Sequence, residues 1–296
     1  MPTLSAQPQK SPLRIHPVRI VNICLLITVG LLVAFVIVPN WRKIHYRLTG
    51  NVTVDGSTFY LHKGDNYLTQ LIVNDGEYEP TETKLVRSIL NEGDVFIDVG
   101  ANIGWYSVHA AKLVGEKGQV VAFEPEPNNL ELLRKNLQAN GLKNLTVDSR
   151  GLSNAAGSFK LFLEKDNLGM HSLIMEHGGQ RYINVETVRF DDYWKDGRAI
   201  KLVKIDTEGA EGLILDGMRD TLKNQKNMEL IVEFAPYRLV KSGYDPDVLL
   251  QDLYKLGYKA SLIDEDAKRV VELGTPTVKD LELPRDDSVI NLHFKR

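Results

Sequence analysis

The chain has 296 residues, of which 43% are hydrophobic and 25% are charged, a composition typical of a globular protein that folds without disulfides or structural metals. Residues 1–50 hold six Lys or Arg and no Asp or Glu, so the rest of the chain carries 30 basic against 39 acidic residues. Because a domain with excess negative charge is unsuited to binding the phosphates of nucleic acids, we expect no nucleic-acid partner.

A charge-free apolar run over residues 20–38 follows a short basic tail, residues 1–19, and contains Cys24, the single cysteine. As a helix rising about 1.5 Å per residue, this run can cross a bilayer core of roughly 30 Å. Trp41 and Arg42 follow it as typical interfacial anchors. We therefore predict a single-pass transmembrane helix that binds the lipid bilayer. A cleaved signal peptide and a buried core helix are the alternatives, and three basic residues on each side leave the orientation open.

Residues 39–74 are predicted to form a linker with a β-hairpin, because Asp55-Gly56 separates two strand-like runs. From residue 75 to 296, short apolar runs alternate with helical patterns, which is typical of an α/β domain with a mostly parallel sheet. Strands are expected at 95–98, 119–123, 145–147, 201–205, 229–234, 258–263 and 288–294, and helices at 105–114, 127–140 and 245–256. We interpret residues 151–198, which are long for a crossover, as an insertion over the active site.

A glycine turn, Asp98-Val99-Gly100-Ala101-Asn102-Ile103-Gly104, stands between the first strand of this domain and a helix. Its glycines allow the backbone to approach a ligand closely. Glu124 ends the next strand, where its carboxylate can accept hydrogen bonds from both hydroxyls of a ribose. These positions therefore predict a site for an adenosine derivative.

The spacing of this turn distinguishes between two such ligands. A dinucleotide loop reads G-x-G-x-x-G, whereas this one reads G-x-x-x-G directly after an acidic residue that would repel a pyrophosphate. The same acid suits the amino group of S-adenosylmethionine. The predicted cofactor is therefore S-adenosylmethionine, and a nicotinamide-dependent oxidoreductase is the less favoured alternative; the predicted cofactor-binding residues are Asp98, Gly100, Ala101, Asn102, Gly104 and Glu124.

A third motif, Asp206-Thr207-Glu208-Gly209-Ala210-Glu211, also follows a strand and so lies on the ligand side of the sheet. Together with the glycine turn it resembles the FkbM methyltransferase family over roughly residues 75–235. The other motifs that carry the resemblance are Glu79-Pro80, Phe123-Glu124-Pro125, Val203-Lys204-Ile205 and Ile231-Val232-Glu233.

The resemblance implies a Rossmann-like α/β fold with a seven-stranded, mostly parallel methyltransferase sheet and helices on both faces. It also implies methyl transfer from S-adenosylmethionine, usually to a hydroxyl, with sugars, glycans or polyketide-type products as frequent acceptors. We therefore expect a glycan or small-molecule acceptor. The predicted membrane helix lies outside the resemblance and precedes the domain.

A hydroxyl acceptor must lose a proton as the methyl group is transferred, and a nearby carboxylate or imidazole can accept it. The candidate bases are Asp206, Glu208 and His171, which the sequence does not rank. No metal is predicted, although Asp206, Glu208, Glu211 and Glu233 offer the oxygen ligands that Mg²⁺ prefers. The remaining alternative is a catalytically inactive methyltransferase fold that serves as a membrane adaptor.

Overall fold

A computed structural model describes Thr28, Val29, Val33, Val38 and residues 40–63, 67–163, 181–283, 285 and 287–296. The chain divides into two compact units, Met1–Leu48 and Thr49–Arg296. In the part of the chain that the structure describes, no helix is both long enough and apolar enough to cross a membrane. The predicted transmembrane helix over residues 20–38 lies almost entirely outside the described residues.

The helices of the described residues begin with an amphipathic segment, α1, which has no buried residue. The α-helices bounded within the described residues are α1 (Trp41–Thr49), α2 (Leu68–Asp75), α3 (Pro80–Ile89), α4 (Trp105–Val114), α5 (Pro127–Ala139), α6 (Phe190–Tyr193), α7 (Glu211–Gly217), α8 (Arg219–Asn224), α9 (Pro236–Lys241) and α10 (Pro246–Lys255), and Lys279–Leu281 form a short 3-10 helix. Three of them begin as their sequences predict. Proline occupies the first turn of α5 and α10, and the carboxylates of Glu126 and Asp245 accept hydrogen bonds from first-turn amides. Gly104 precedes α4 in the left-handed region, at φ 87°.

The predicted hairpin is confirmed, with β1 (Asn51–Val54) pairing antiparallel to β2 (Ser57–Tyr60). It lies against α5, because Asn136 accepts a hydrogen bond from the Tyr60 amide at 2.6 Å and donates to the Tyr60 carbonyl at 3.1 Å. Asn136 also donates to the Ile103 carbonyl at 2.8 Å. This fully buried amide therefore joins the hairpin to the glycine turn.

The main sheet contains β3 (Val95–Val99), β4 (Gln119–Phe123), β5 (Leu145–Asp148), β9 (Leu202–Ile205), β10 (Glu229–Phe234), β11 (Lys259–Asp264), β12 (Arg269–Gly274) and β13 (Ile290–Lys295). Its order is β12-β11-β13-β10-β9-β3-β4-β5. Neighbouring strands from β10 to β5 are parallel, whereas β13, β11 and β12 are joined by antiparallel pairings. Every residue of β3, β9 and β10 is buried, so elements cover both faces of the sheet there.

The Rossmann-like α/β class and the mostly parallel sheet are confirmed, but the expected count of seven strands is wrong by one. The eighth strand is β12, which forms a hairpin with β11 in which Leu262 faces Val271. It lies at the edge of the sheet, and none of its residues is buried. An exposed edge strand needs no run of apolar residues, which is why the sequence pattern did not reveal it.

The predicted insertion contains a separate three-stranded sheet in the order β6-β8-β7. Its strands are β6 (Gly151–Leu152), β7 (Gly157–Leu163) and β8 (Arg181–Val188). Residues 164–180, which hold His171, lie outside the described residues. Gly217 of α7 approaches this sheet so closely that a Cβ there would lie 2.1 Å from the Ser153 carbonyl oxygen. The insertion is thus packed on the main body.

Candidate functional site

The site lies where three neighbouring strands of the main sheet end. Val99, the last residue of β3, is in register with Phe123 at the end of β4 and with Ile205 at the end of β9. The residues that follow, Gly100, Glu124 and Asp206, therefore leave the sheet side by side. The chain passes from β3 to β4 on one side and returns to β9 on the other, which makes this edge the topological switch point where α/β sheets bind ligands.

Gly100 brings the backbones of two of these loops into contact. Its φ is 83°, and a Cβ at this position would lie 1.9 Å from the carbonyl oxygen of Asp206. A side chain is therefore excluded both by the left-handed backbone and by the neighbouring loop. Gly104, at φ 87°, plays a different part, since its missing Cβ makes room for Leu133 of α5.

The amides of the glycine turn all donate inside the protein. Those of Gly100 and Ala101 both donate to the Phe123 carbonyl at 3.0 Å, and that of Asn102 donates to Glu124 Oε2 at 2.7 Å. The Ile103 amide donates to Asn102 Oδ1, and the Gly104 amide donates to the Ala101 carbonyl. A pyrophosphate needs free amides of this kind, so the turn does not form a dinucleotide cradle. This finding disfavours the nicotinamide-dependent alternative.

Glu124 is buried at the end of β4, and its two carboxylate oxygens accept from separate backbone amides. Oε2 accepts from Asn102, and Oε1 accepts from Glu126 at 2.9 Å. Each carboxylate oxygen has a second lone pair. The side chain can therefore accept hydrogen bonds from a ribose diol while it continues to hold the glycine turn.

Asp98, which the sequence assigns to the amino group of the cofactor, lies beneath the glycine turn. It is buried, and its Oδ2 accepts a hydrogen bond of 2.5 Å from Ser107 of α4. It lines neither of the two cavities described below. In this structure Asp98 supports the turn from inside, and its contact with a cofactor stays a prediction.

Asp206 is partly exposed at the end of β9 and is paired with a lysine from the same strand. Lys204 Nζ lies 2.8 Å from Asp206 Oδ2 and 3.2 Å from Oε1 of Glu82, which belongs to α3. Lys204 and Glu82 are both buried, and the lysine ammonium also lies 4.7 Å from the ring centroid of Tyr106. The ion pair fixes the direction of the Asp206 carboxylate.

The loop after Asp206 is shaped by Glu211, the first residue of α7. Its Oε1 accepts from the Thr207 amide at 3.1 Å, the Thr207 hydroxyl at 2.8 Å and the Gly209 amide at 3.1 Å. Glu208 between them has φ 54° and forms an ion pair with Arg238 of α9. Glu211 therefore orders the loop, and Glu208 is held in a buried ion pair with Arg238.

Three of the four acidic residues that could bind Mg²⁺ lie close together in the structure. Asp206, Glu208 and Glu233 each place a carboxylate oxygen within 4.8 Å of the others, whereas Glu211 does not belong to this group. The three carboxylates already have cationic neighbours, because Arg238 also lies 3.5 Å from Glu233 and Lys204 pairs with Asp206. The arrangement is a charge network of three carboxylates with Lys204 and Arg238, in which Glu208 and Glu233 are buried and Asp206 is partly exposed.

Two cavities open on this edge of the sheet. The first cavity is lined by residues that include Gly100, Asn102, Phe123, Glu124, Leu152, Leu161 and Ile214. The second cavity is lined by residues that include Tyr78, Glu79, Ala101, Trp105, Tyr106, Lys204 and Glu233. Gly100, Asn102, Asp206 and Glu208 line both, so the two cavities meet at the glycine turn. Leu152 and Leu161 belong to the insertion, which therefore forms part of the first cavity.

The structure thus brings the candidate base residues Asp206 and Glu208 to the boundary of the two cavities, while the third candidate, His171, lies outside the described residues. Sequence reasoning gave no role to Lys204 or Glu79. A signal was available for each. Lys204 is a charged residue within an otherwise apolar strand, which indicates a buried ion pair, and Glu79 directly precedes the proline that begins α3.

Burial raises the pKa of several carboxyl groups at this site. It raises the pKa of Asp98 to about 6 and that of Glu124 to about 7. Burial, together with the neighbouring Glu82 carboxylate, raises the pKa of Glu79 to about 8. A carboxyl group with a raised pKa stabilises the folded state while it is protonated, and this contribution is lost as the pH rises through its folded-state pKa.

We therefore expect the free energy of unfolding of the ligand-free protein to fall between pH 6.5 and 8.5, by roughly 2–3 kcal/mol if Glu124 and Glu79 titrate independently. His109, whose pKa burial lowers to about 4, opposes this trend only below pH 6.5. Urea unfolding at several pH values measures the slope, and Glu124→Gln should reduce it. A stability that is flat or rises over this range would contradict the assignment.

Comparison with protein families identifies a match between residues 98–260 and the family model described as "Methyltransferase FkbM domain". The matched range begins at Asp98 and contains Glu124, Asp206 and Glu233. It therefore includes the ends of the three strands that form the site.

Curated relatives match shorter stretches of the chain. A probable cobalt-precorrin-6B C(15)-methyltransferase (decarboxylating) of Sulfolobus acidocaldarius is 43% identical over 63 residues, which are 21% of this chain and 33% of that protein. Protein-L-isoaspartate O-methyltransferase 1 of Archaeoglobus fulgidus is 34% identical over 58 residues, 20% of this chain and 27% of that protein. The chain thus spans about a third or less of the length of these relatives.

Two solved structures are similar at low sequence identity. An rRNA methylase from Streptococcus thermophilus has a TM-score of 0.42 and 13% identity, with 73% of this chain and 93% of that chain covered. A precorrin-6y C5,15-methyltransferase from Geobacter metallireducens GS-15 has a TM-score of 0.41 and 15% identity, with 72% and 88% covered. The α/β class itself rests on the strand order and register described above.

Proposed function

Because the chain belongs to the FkbM methyltransferase family, we propose that it is a membrane-anchored O-methyltransferase acting on a hydroxyl of a glycan, a sugar or a small-molecule acceptor. Its cofactor is S-adenosylmethionine, which supplies an electrophilic methyl group when bound. The observation that carries the proposal is that the two cavities meet at Gly100, with Glu124 lining the first cavity and Asp206 lining both.

The residues of the first cavity fit the nucleoside half of the cofactor. Gly100 leaves space that a Cβ would fill, and Glu124 presents a buried carboxylate at the end of β4. Phe123, Leu152, Leu161 and Ile214 provide apolar surface for an adenine ring. The chemistry of this donor set agrees with an adenosine and a ribose diol.

The proposed acceptor is a hydroxyl because carboxylates border both cavities. Asp206 is oriented by Lys204 at 2.8 Å and is partly exposed, so its carboxylate can accept a proton from a bound hydroxyl. Glu208 borders the same space and is the second candidate. In this proposal the protein contributes mainly by aligning the acceptor oxygen with the methyl group and by accepting its proton.

The cofactor assignment is tested by Glu124→Gln. We expect S-adenosylhomocysteine to bind this variant about 10- to 100-fold more weakly than the wild-type protein, because charge-assisted hydrogen bonds to the ribose are lost. Isothermal titration calorimetry on the full chain measures this change, with exposed Glu131→Gln of α5 as the matched control. If the wild-type protein gives no heat of binding up to millimolar ligand, the proposed function fails.

Acceptor class is tested by transfer of a labelled methyl group. The full chain is incubated with methyl-labelled S-adenosylmethionine and separate fractions of glycans, lipids and small metabolites. Label in an alkali-stable ether on a glycan or small molecule would support the proposal. Binding of the cofactor without transfer to any fraction would favour the inactive adaptor instead.

The membrane part of the proposal rests on the charge-free run over residues 20–38 and the Trp41 and Arg42 that follow it. It places a single-pass protein in the bilayer with the methyltransferase unit attached to it. Extraction of the expressed full chain from membranes with carbonate tests it, since release into the soluble fraction would refute an integral anchor.

A further inference from the structure

The second cavity differs from the first in its charge. Four acidic residues line it, Glu79, Asp206, Glu208 and Glu233, against one lysine, Lys204. Since it joins the first cavity at Gly100 and Asn102, a ligand whose nucleoside occupies the first cavity can extend into the second at this point. The part of the ligand that enters this acidic space is expected to carry positive charge.

Most of these acids already have a cationic neighbour. Lys204 pairs with Asp206, and Arg238 pairs with Glu208 and lies 3.5 Å from Glu233. Among the residues that the structure describes, no ion pair reaches Glu79, whose Oε2 accepts a hydrogen bond of 2.7 Å from the Tyr106 hydroxyl. Lys204 is close enough to oppose the rise of the Glu79 pKa, but it forms its ion pairs with Asp206 and Glu82. Glu79 is therefore the acid of this cavity that a cationic ligand group can contact directly.

The backbone holds Glu79 in an unusual position. Its φ is 44°, in the left-handed region that non-glycine residues seldom adopt, and Pro80 follows it at the first turn of α3. The geometry is maintained by the surrounding fold, since the amides of Thr81 and Glu82 donate to the carboxylate of Glu265 at 3.0 and 2.8 Å. Strained residues of this kind are concentrated at ligand sites.

We propose that the second cavity receives the amino-acid end of S-adenosylmethionine and that Glu79 binds its ammonium group. This inference rests on the proposed function and gives Glu79 the role that the sequence assigns to Asp98. Asp98 lines neither cavity and accepts a hydrogen bond from the Ser107 hydroxyl, whereas Glu79 lines the second cavity. Tyr106 orients the Glu79 carboxylate toward the ligand.

Three ligands that share one nucleoside test the proposal by calorimetry on the full chain. 5′-Methylthioadenosine has neither the ammonium nor the carboxylate, decarboxylated S-adenosylmethionine keeps the ammonium alone, and S-adenosylhomocysteine keeps both. In Glu79→Gln we expect the last two to bind about 10- to 100-fold more weakly, while 5′-methylthioadenosine binds within twofold of the wild-type affinity. Glutamine keeps the size of the side chain and its acceptor for Tyr106.

Two controls accompany the variant. Glu77→Gln changes an exposed acid two residues away and should leave all three affinities unchanged. Asp98→Asn should weaken the three ligands by equal factors, because it alters the support of the glycine turn. If Asp98→Asn instead weakens only the two ammonium-bearing ligands, and Glu79→Gln does not, the proposal is overturned in favour of Asp98.

The possible outcomes distinguish the role of Glu79 from the proposed function. If the wild-type protein binds all three ligands but Glu79→Gln weakens none of them, or weakens all three equally, the role of Glu79 is refuted and the proposed function stands. If the wild-type protein binds none of the three, the proposed function itself fails.

Discussion

Gly100→Ala should lose measurable cofactor binding and several kcal/mol of its free energy of unfolding. The left-handed backbone alone costs an alanine about 1–2 kcal/mol. The larger cost comes from the contact with the next loop, because the new Cβ would lie 1.9 Å from the Asp206 carbonyl oxygen. Since this neighbour is backbone, no side-chain rotation relieves the overlap, and the loops that carry Glu124 and Asp206 must separate.

Gly93→Ala is the matched control for this variant. Gly93 has φ 91°, close to that of Gly100, and a Cβ there would meet nothing within 4 Å. Urea unfolding of the two variants therefore separates the backbone cost from the steric cost, and calorimetry with S-adenosylhomocysteine reports the site. Equal destabilisation of the two variants, with binding retained in Gly100→Ala, would show that the two loops are not in contact.

Lys204→Met should destabilise the protein by about 3–5 kcal/mol, the scale on which removal of one partner of a buried ion pair leaves an uncompensated charge. Lys204 is 2% exposed and Glu82 is 0% exposed, so water does not replace the lost ammonium. Burial already raises the pKa of Glu82, and Lys204 opposes this shift. Without the lysine, Glu82 must take up a proton or remain charged in an apolar environment.

A double-mutant cycle measures this coupling. Glu82→Gln in the Lys204→Met background should restore part of the lost free energy, because it removes the isolated charge. Lys84→Met, which changes an exposed lysine of α3, should alter the free energy of unfolding by no more than about 0.5 kcal/mol. A loss below 1 kcal/mol in Lys204→Met would mean that the buried pair does not stabilise the fold.

The sequence predicted those parts of the fold that local patterns determine. The seven expected strands all form. Five of them make up the parallel part of the sheet, where buried strands require runs of apolar residues that are visible in one dimension, and the other two, β11 and β13, are antiparallel. Glu124 and Asp206 were placed correctly at the ends of β4 and β9, the two strands that flank β3, for the same reason. The edge strand β12 escaped detection, since an exposed strand carries little of this pattern.

Contacts between distant segments could not be predicted from local patterns. One partner of Lys204 is Glu82, which belongs to a helix before the first parallel strand, and the partner of Asp98 is Ser107, which belongs to the helix after the glycine turn. Both pairings depend on how helices cross the sheet, which periodicity does not encode. For this reason the sequence indicated an acidic ligand-binding edge but did not indicate which acid faces which cavity.

The hydrogen bonds within the glycine turn are complete in the folded protein, so the turn is ordered before a ligand binds. Because every amide from Gly100 to Gly104 has its acceptor before any ligand arrives, the conformational entropy of this loop is lost when the chain folds. Association then needs no rearrangement of the turn. The turn therefore presents a preformed surface to adenosine-containing molecules, and its ordering adds no cost to the affinity of the correct one.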